Sequence, residues 1–86
     1  MVESLTAFAV LFLQSIAVAG CESTFDLQAI SRTNDYGLFQ INRIHERRVT
    51  AMGYRWNQML ELRPNADVAF AIYREQGWRP WSCRPR

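Results

Sequence analysis

Cys21-Glu22-Ser23-Thr24-Phe25, followed by Asn34-Asp35-Tyr36-Gly37-Leu38-Phe39-Gln40-Ile41-Asn42, is the stretch that decides how this 86-residue chain folds. A glutamate stands where a long apolar segment ends. An aspartate stands at the mouth of a Gly-containing turn. A Gln-x-Asn pair follows on an alternating, strand-like run, and two carboxyl groups thereby fall in different surroundings within a short span.

Upstream of Glu22, the segment from Ser4 to Gly20 carries no charge, and Thr6 to Val18 is apolar except at Gln14 and Ser15. Three readings fit. The segment is a helix buried on all sides at the centre of the domain. It is a signal peptide, with Val18-Ala19-Gly20-Cys21 resembling the bacterial lipoprotein cleavage box. Or it is a membrane anchor, for which its length is marginal. The flanks favour the buried helix. Glu3 is the only charge near the start, so the basic region of a signal is missing. Cleavage before Cys21 would also leave Glu22 as the second residue, with no helix to hold it.

Downstream, Phe25 to Ser31 is short and mixed. Arg32-Thr33-Asn34-Asp35-Tyr36-Gly37 is turn chemistry, since Asn and Asp tolerate left-handed backbone and glycine supplies positive φ. Tyr36, Leu38, Phe39 and Ile41 predict a short strand with Gln40 and Asn42 on one face, hence a small hairpin. Ile44 to Met52 reads as a helix ended by Gly53, with Glu46-Arg47-Arg48 as a solvated run. Trp56 to Leu62 reads as another short helix, ended before Pro64. Asn65 is then the expected N-cap of a last helix, with Asp67 complementing its dipole. Val68, Ala69, Ile72 and Tyr73 have helical spacing, and Gly77 stops the run. The expected architecture is mainly α (α+β): a small domain over residues 1–86 with a central buried helix and a short hairpin.

Composition narrows the function. Hydrophobic content of 49% and aromatic content of 13% support a real core and exclude a disordered chain. A net charge of +2 gives no electrostatic footprint for nucleic acid. All ten basic side chains are arginine; carboxylate recognition and codon bias explain that equally well. Cys21 and Cys83, if bonded, close a loop of about 60 residues, worth roughly 4 kcal/mol in the chain-entropy treatment. Such a bond suits a small domain in an oxidising compartment; two unpaired buried thiols are the alternative. His45 is the one histidine, and with no Cys or His cluster a metal site is not expected. No cofactor is expected either.

The residues themselves point to carboxylate chemistry. At the C-terminal end of a helix the macrodipole disfavours negative charge on Glu22, and apolar neighbours such as Phe25 act in the same direction. A carboxyl kept protonated in this way suits a general acid that protonates a leaving sugar oxygen. An exposed helix-end glutamate without a role is the plain alternative. Asp35, in a polar turn, should stay ionised and serve as stabiliser, nucleophile or water-orienting group, or be turn chemistry only. Gln40 and Asn42 carry amides that read sugar hydroxyls and N-acetyl groups, or form a polar strand face. Trp56, Trp78 and Trp81 offer flat surfaces to pyranose rings, or fill the core.

At these residues the chain resembles the lysozyme-like superfamily. Cys21-Glu22-Ser23-Thr24-Phe25 resembles its Glu-Ser motif at the catalytic glutamate. Asp35-Tyr36-Gly37-Leu38-Phe39-Gln40-Ile41-Asn42 resembles the Asp-Tyr-Gly-[Ile/Leu]-[Phe/Leu]-Gln-Ile-Asn run of c-type lysozymes and the Gly-Leu-x-Gln-Ile run of soluble lytic transglycosylases and phage relatives. Asn65 through Tyr73 looks like a helix of the transglycosylase branch. Trp78-x-Pro-Trp81-Ser82-Cys83 resembles the closing segment of bacterial members. A similar cysteine pair brackets the domain of the resuscitation-promoting factors. The resemblance covers about Ile16 to Cys83, and two motifs in order at close spacing make it specific.

The resemblance implies Glu22 as general acid, Asp35 as second carboxylate, and substrate contacts from Gln40, Asn42, Tyr36, Tyr73 and Trp81. It implies peptidoglycan glycan strands as partner and cleavage of the β-1,4 bond between N-acetylmuramic acid and N-acetylglucosamine. The site of action is then outside the cytoplasm: secreted, periplasmic or virion-associated. A monomer is expected, with membrane contact only if the apolar segment is an anchor or lipoprotein signal. An inactive glycan binder or virion component on the same fold is the competing reading. The loop before Asp35 is shorter than in c-type lysozymes, so a glutamate working alone, as in lytic transglycosylases, is the other mechanism implied.

Overall fold

The computed structural model describes residues 2–85 of the chain. It is mainly helical with one short antiparallel hairpin. In chain order there are α1 (Val2–Ser23), β1 (Asp35–Tyr36), β2 (Ile41–Asn42), a 3-10 turn (Arg43–His45), α2 (Glu46–Ala51), a second 3-10 turn (Trp56–Leu60) and α3 (Leu62–Gln76).

The apolar segment does form a helix, but its burial corrects the expectation. Phe8, Phe12, Leu13 and Ile16 are exposed, and only 17% of Thr6–Ser23 is buried. The stretch is long and apolar enough to cross a membrane by length and composition. Among the residues of α1 whose burial is described, Val18, Ala19 and Ser23 are the buried ones; farther up, the Trp78 Nε1–H donates to Gln14 Oε1 at 3.1 Å. The physical reason is placement: α1 contributes only Val18 and Ala19 to the buried core, so most of its described apolar side chains have nothing packed over them. Val18 and Ala19 belong to the core, and the Cys21 sulfur that a lipoprotein would lipidate is bonded to Cys83.

The centre of the domain is α3. Val68, Ala69 and Ile72 face inward at helical spacing and pack with Ile41, Val49, Met59 and Trp81. Asn65 is not the N-cap that the sequence predicts. The helix starts at Leu62, because Pro64 sits in the first turn, where its missing N–H has no intrahelical partner to lose. Asn65 is instead fully buried inside the helix. It accepts the Phe39 N–H at 2.9 Å, and its Nδ2 donates to the Tyr36 and Met59 carbonyls, each at 2.8 Å. One amide thereby satisfies three backbone groups from the hairpin and the second 3-10 turn. Asp67 lies beyond the first turn and accepts from the Tyr54 hydroxyl at 2.5 Å, so it does not cap the dipole.

The hairpin pairs Asp35 with Asn42 and Tyr36 with Ile41. Leu38, Phe39 and Gln40 form its turn and are not the strand residues expected. Gly37 is required twice over: its φ is +78°, and a Cβ there would stand 2.0 Å from the Met59 carbonyl oxygen and 2.5 Å from the Asn65 Nδ2. The Ile44 to Met52 helix is also shorter than expected, because the Asn42 side chain accepts from the Ile44 N–H at 3.0 Å and starts a 3-10 turn before α2. Arg48 on α2 grips Glu75 on α3 through both terminal nitrogens, at 2.9 and 2.5 Å, and so is more than a solvated charge.

The tail folds back over this core. Trp78 packs on Tyr73 and on Trp81, at ring separations of 4.8 and 5.2 Å. Trp81 is buried and donates its Nε1–H to the Phe39 carbonyl at 2.8 Å. The Cys21–Cys83 disulfide, with Cα atoms 6.0 Å apart, closes the tail onto α1.

Candidate active site

Glu22 stands in the last turn of α1. That helix ends abruptly: Thr24 and Phe25 take the left-handed region at φ 52° and 61°, unusual for β-branched and aromatic residues. The Thr24 N–H closes back on the Gly20 carbonyl at 2.9 Å. The Phe25 ring folds over Gly20 so closely that a Cβ at Gly20 would lie 2.8 Å from it. Phe25 remains 58% exposed, with its ring laid on Gly20. What fixes that carboxyl is the tail, whose Cys83 N–H donates to Glu22 Oε2 at 3.1 Å.

Asp35 is held from three sides. Ser31 Oγ donates to Oδ2 at 2.6 Å, Thr33 Oγ1 donates to the same oxygen, and Asn42 Nδ2 donates to Oδ1 at 2.8 Å. Burial pushes the carboxyl up, but the three hydrogen bonds outweigh it and hold it below its ordinary value. Asp35 is therefore ionised at neutral pH.

Both carboxyl groups border one cleft of about 230 Å³, with Gln40, Asn42, His45 and Trp81 among the other residues lining it. Gln40 sits at φ 51° in the turn, and its Nε2 donates to the Ala29 and Gly37 carbonyls at 3.1 and 3.0 Å. Only its carbonyl oxygen remains for a ligand. Asn42 is fully engaged, donating to the Thr33 carbonyl at 3.0 Å and to Asp35 while accepting from Ile44. Its amide positions Asp35. Trp81 is both core and cleft wall.

Two of the expected contact residues stand apart from this cleft. Tyr36 packs on Trp56 at 5.0 Å, and Tyr73 lines a separate apolar pocket with Leu11, Phe70 and Trp78. In their place the fold brings Ser31, His45, Pro80 and Ser82, none of which the sequence reading singled out for the site. For Ser31 and His45 a signal was present. Ser31-x-Thr33-x-Asp35 is a hydroxyl ladder onto a carboxylate, and Asn42-x-Ile44 is an N-cap that sets His45 one turn on. Pro80 and Ser82 reach the cleft only through the fold of the tail. Among the described residues, no cluster of three His, Cys, Asp or Glu side chains could hold a metal ion.

Residues 6–83 match the family described as the lysozyme-like domain, and the chain belongs to that family. No curated protein and no solved structure was found to match it. Membership gives the chain a peptidoglycan-related role of the glycosidase or transglycosylase kind and implies binding of peptidoglycan; with the disulfide, it points outside the cytoplasm.

Proposed function

We propose that residues 1–86 form a single catalytic domain that cleaves the β-1,4 bond between N-acetylmuramic acid and N-acetylglucosamine in peptidoglycan. The observation that carries this reading is the sharing of one cleft by two unlike carboxyl groups from separate elements. Glu22 is the general acid. It gives its proton to the glycosidic oxygen as the C1–O bond breaks, and the leaving sugar departs with a free 4-hydroxyl. Asp35, kept ionised by its three donors, stabilises the positive charge that develops at C1. Water then attacks C1, or the sugar's own 6-hydroxyl does so and leaves a 1,6-anhydro end; in either case the attacking hydroxyl gives its proton to Glu22, which restores the acid.

Turbidity of purified cell walls tests the reading. The wild type clears the suspension and a Glu22→Gln variant of equal thermal stability does not. Equal clearing by both, or by neither, removes the enzymatic reading. Oligosaccharide binding without turnover would mark a glycan-binding module instead. Reducing-end analysis of the products separates hydrolysis from 1,6-anhydro formation.

A further inference from the structure

His45 closes the 3-10 turn that follows β2, and its ring lines the same cleft as Glu22 and Asp35. Asn42 sets both sides of this arrangement. Its Nδ2 holds Asp35 and its Oδ1 caps the turn that carries His45.

The polar inventory of the cleft is lopsided. The Gln40 and Asn42 amide protons are spent on carbonyls and on Asp35, the Ser31 hydroxyl proton is spent on Asp35, and the Trp81 Nε1–H is spent on Phe39. Among the described lining residues, only the His45 ring and the Ser82 hydroxyl make no hydrogen bond. An N-acetylhexosamine brings hydroxyl and acetamido oxygens that accept, so a cleft for it needs an uncommitted donor.

We propose that His45 is a glycan-binding residue, its ring N–H donating to a hydroxyl or N-acetyl oxygen of an N-acetylhexosamine. This rests on the glycan-cleaving reading above. The electrostatics agree. Burial, then the Arg48 guanidinium on α2, push the imidazole below its ordinary value, and Glu75 on α3 opposes them only in part. Glu22 of α1 and Asp35 of β1 border the same cleft; with its value lowered, the ring is neutral at neutral pH and has one donor and one acceptor nitrogen.

The experiment titrates N-acetylglucosamine tetramer into the full chain carrying Glu22→Gln, which binds without turnover. Adding His45→Ala should weaken binding about tenfold, the scale of one lost hydrogen bond. His45→Gln, which keeps an N–H donor, should recover most of the loss, and the ring resonances of His45 should move on saturation. Equal thermal unfolding of the variants excludes a folding effect; a His45→Ala chain that does not fold leaves the decision to His45→Gln and the resonances. Binding that is indifferent to His45→Ala, or unmoved resonances, overturns the proposal and leaves the glycan reading standing. No binding by the Glu22→Gln parent overturns both.

Discussion

Glu22 Oε2 accepts the backbone N–H of Cys83 across 61 residues of chain, and Cys83 is disulfide-bonded to Cys21, the residue beside Glu22. The covalent link and the hydrogen bond therefore act on one point. A Cys21→Ser, Cys83→Ser chain should lose about 4 kcal/mol of stability by the loop-entropy relation. Cell-wall clearing should also fall about tenfold beyond what the lost folded fraction explains, since a carboxylate hydrogen bond goes with it. Urea titration and clearing rates on the same samples separate the two effects. Unchanged clearing per folded molecule would show that the tail does not position Glu22.

Gly37 and Gly53 offer a matched pair. Both have positive φ, +78° and +89°, but a Cβ at Gly37 meets the Met59 carbonyl whereas one at Gly53 meets open space. Gly53→Ala should cost about 1–2 kcal/mol, the left-handed penalty alone. Gly37→Ala should cost roughly 3 kcal/mol or more, because backbone must move as well. Equal costs by urea unfolding would argue against the close approach of the hairpin to the second 3-10 turn.

Asn65→Ala leaves the Phe39 N–H and the Tyr36 and Met59 carbonyls without their partner. With roughly 1–3 kcal/mol for each buried group left unmade, a loss near the upper end of single-residue effects is expected, about 4 kcal/mol. Asn65→Asp should fail similarly, since it keeps the acceptor and loses both donors. A thermal melt that barely moves would sink the hub role.

Stability should fall in two steps on acidification. His45 titrates below its ordinary 6.5 when folded, so the unfolded chain takes up the proton first, and stability declines as pH drops below 6.5 toward the lowered value. Asp35 lies below its ordinary 3.8, and Glu75, paired with Arg48, below 4.5. Their contributions are whole above those ordinary values and are lost as pH falls through the lowered ones. His45→Gln should erase the upper step in a series of thermal melts and leave the lower. Persistence of the upper step in that variant would assign it to another group.

Much of this protein was legible in one dimension. The two motifs, their order and spacing gave the lysozyme-like class. The α3 periodicity at Val68, Ala69 and Ile72 gave the core helix face, and the cysteine pair gave the bond that closes the tail. These are local or pairwise signals, set by helical period and chain chemistry. Asn65 follows a proline and so has the local signature of a cap; only the hairpin packed against it supplies the competing backbone partners.

The sequence by itself determined that a glutamate ends an apolar helix and that an ionised aspartate follows in a turn. Tertiary structure decided what surrounds them. It left most of the described part of α1 uncovered, because only Val18 and Ala19 of that helix enter the core. It spent the Asn42 amide on Asp35, moved Tyr36 and Tyr73 away from the cleft, and brought His45 to its wall. Which polar atoms stay free for a ligand depends on which backbone groups lie within hydrogen-bond reach, and residues distant in sequence meet only when the chain has folded.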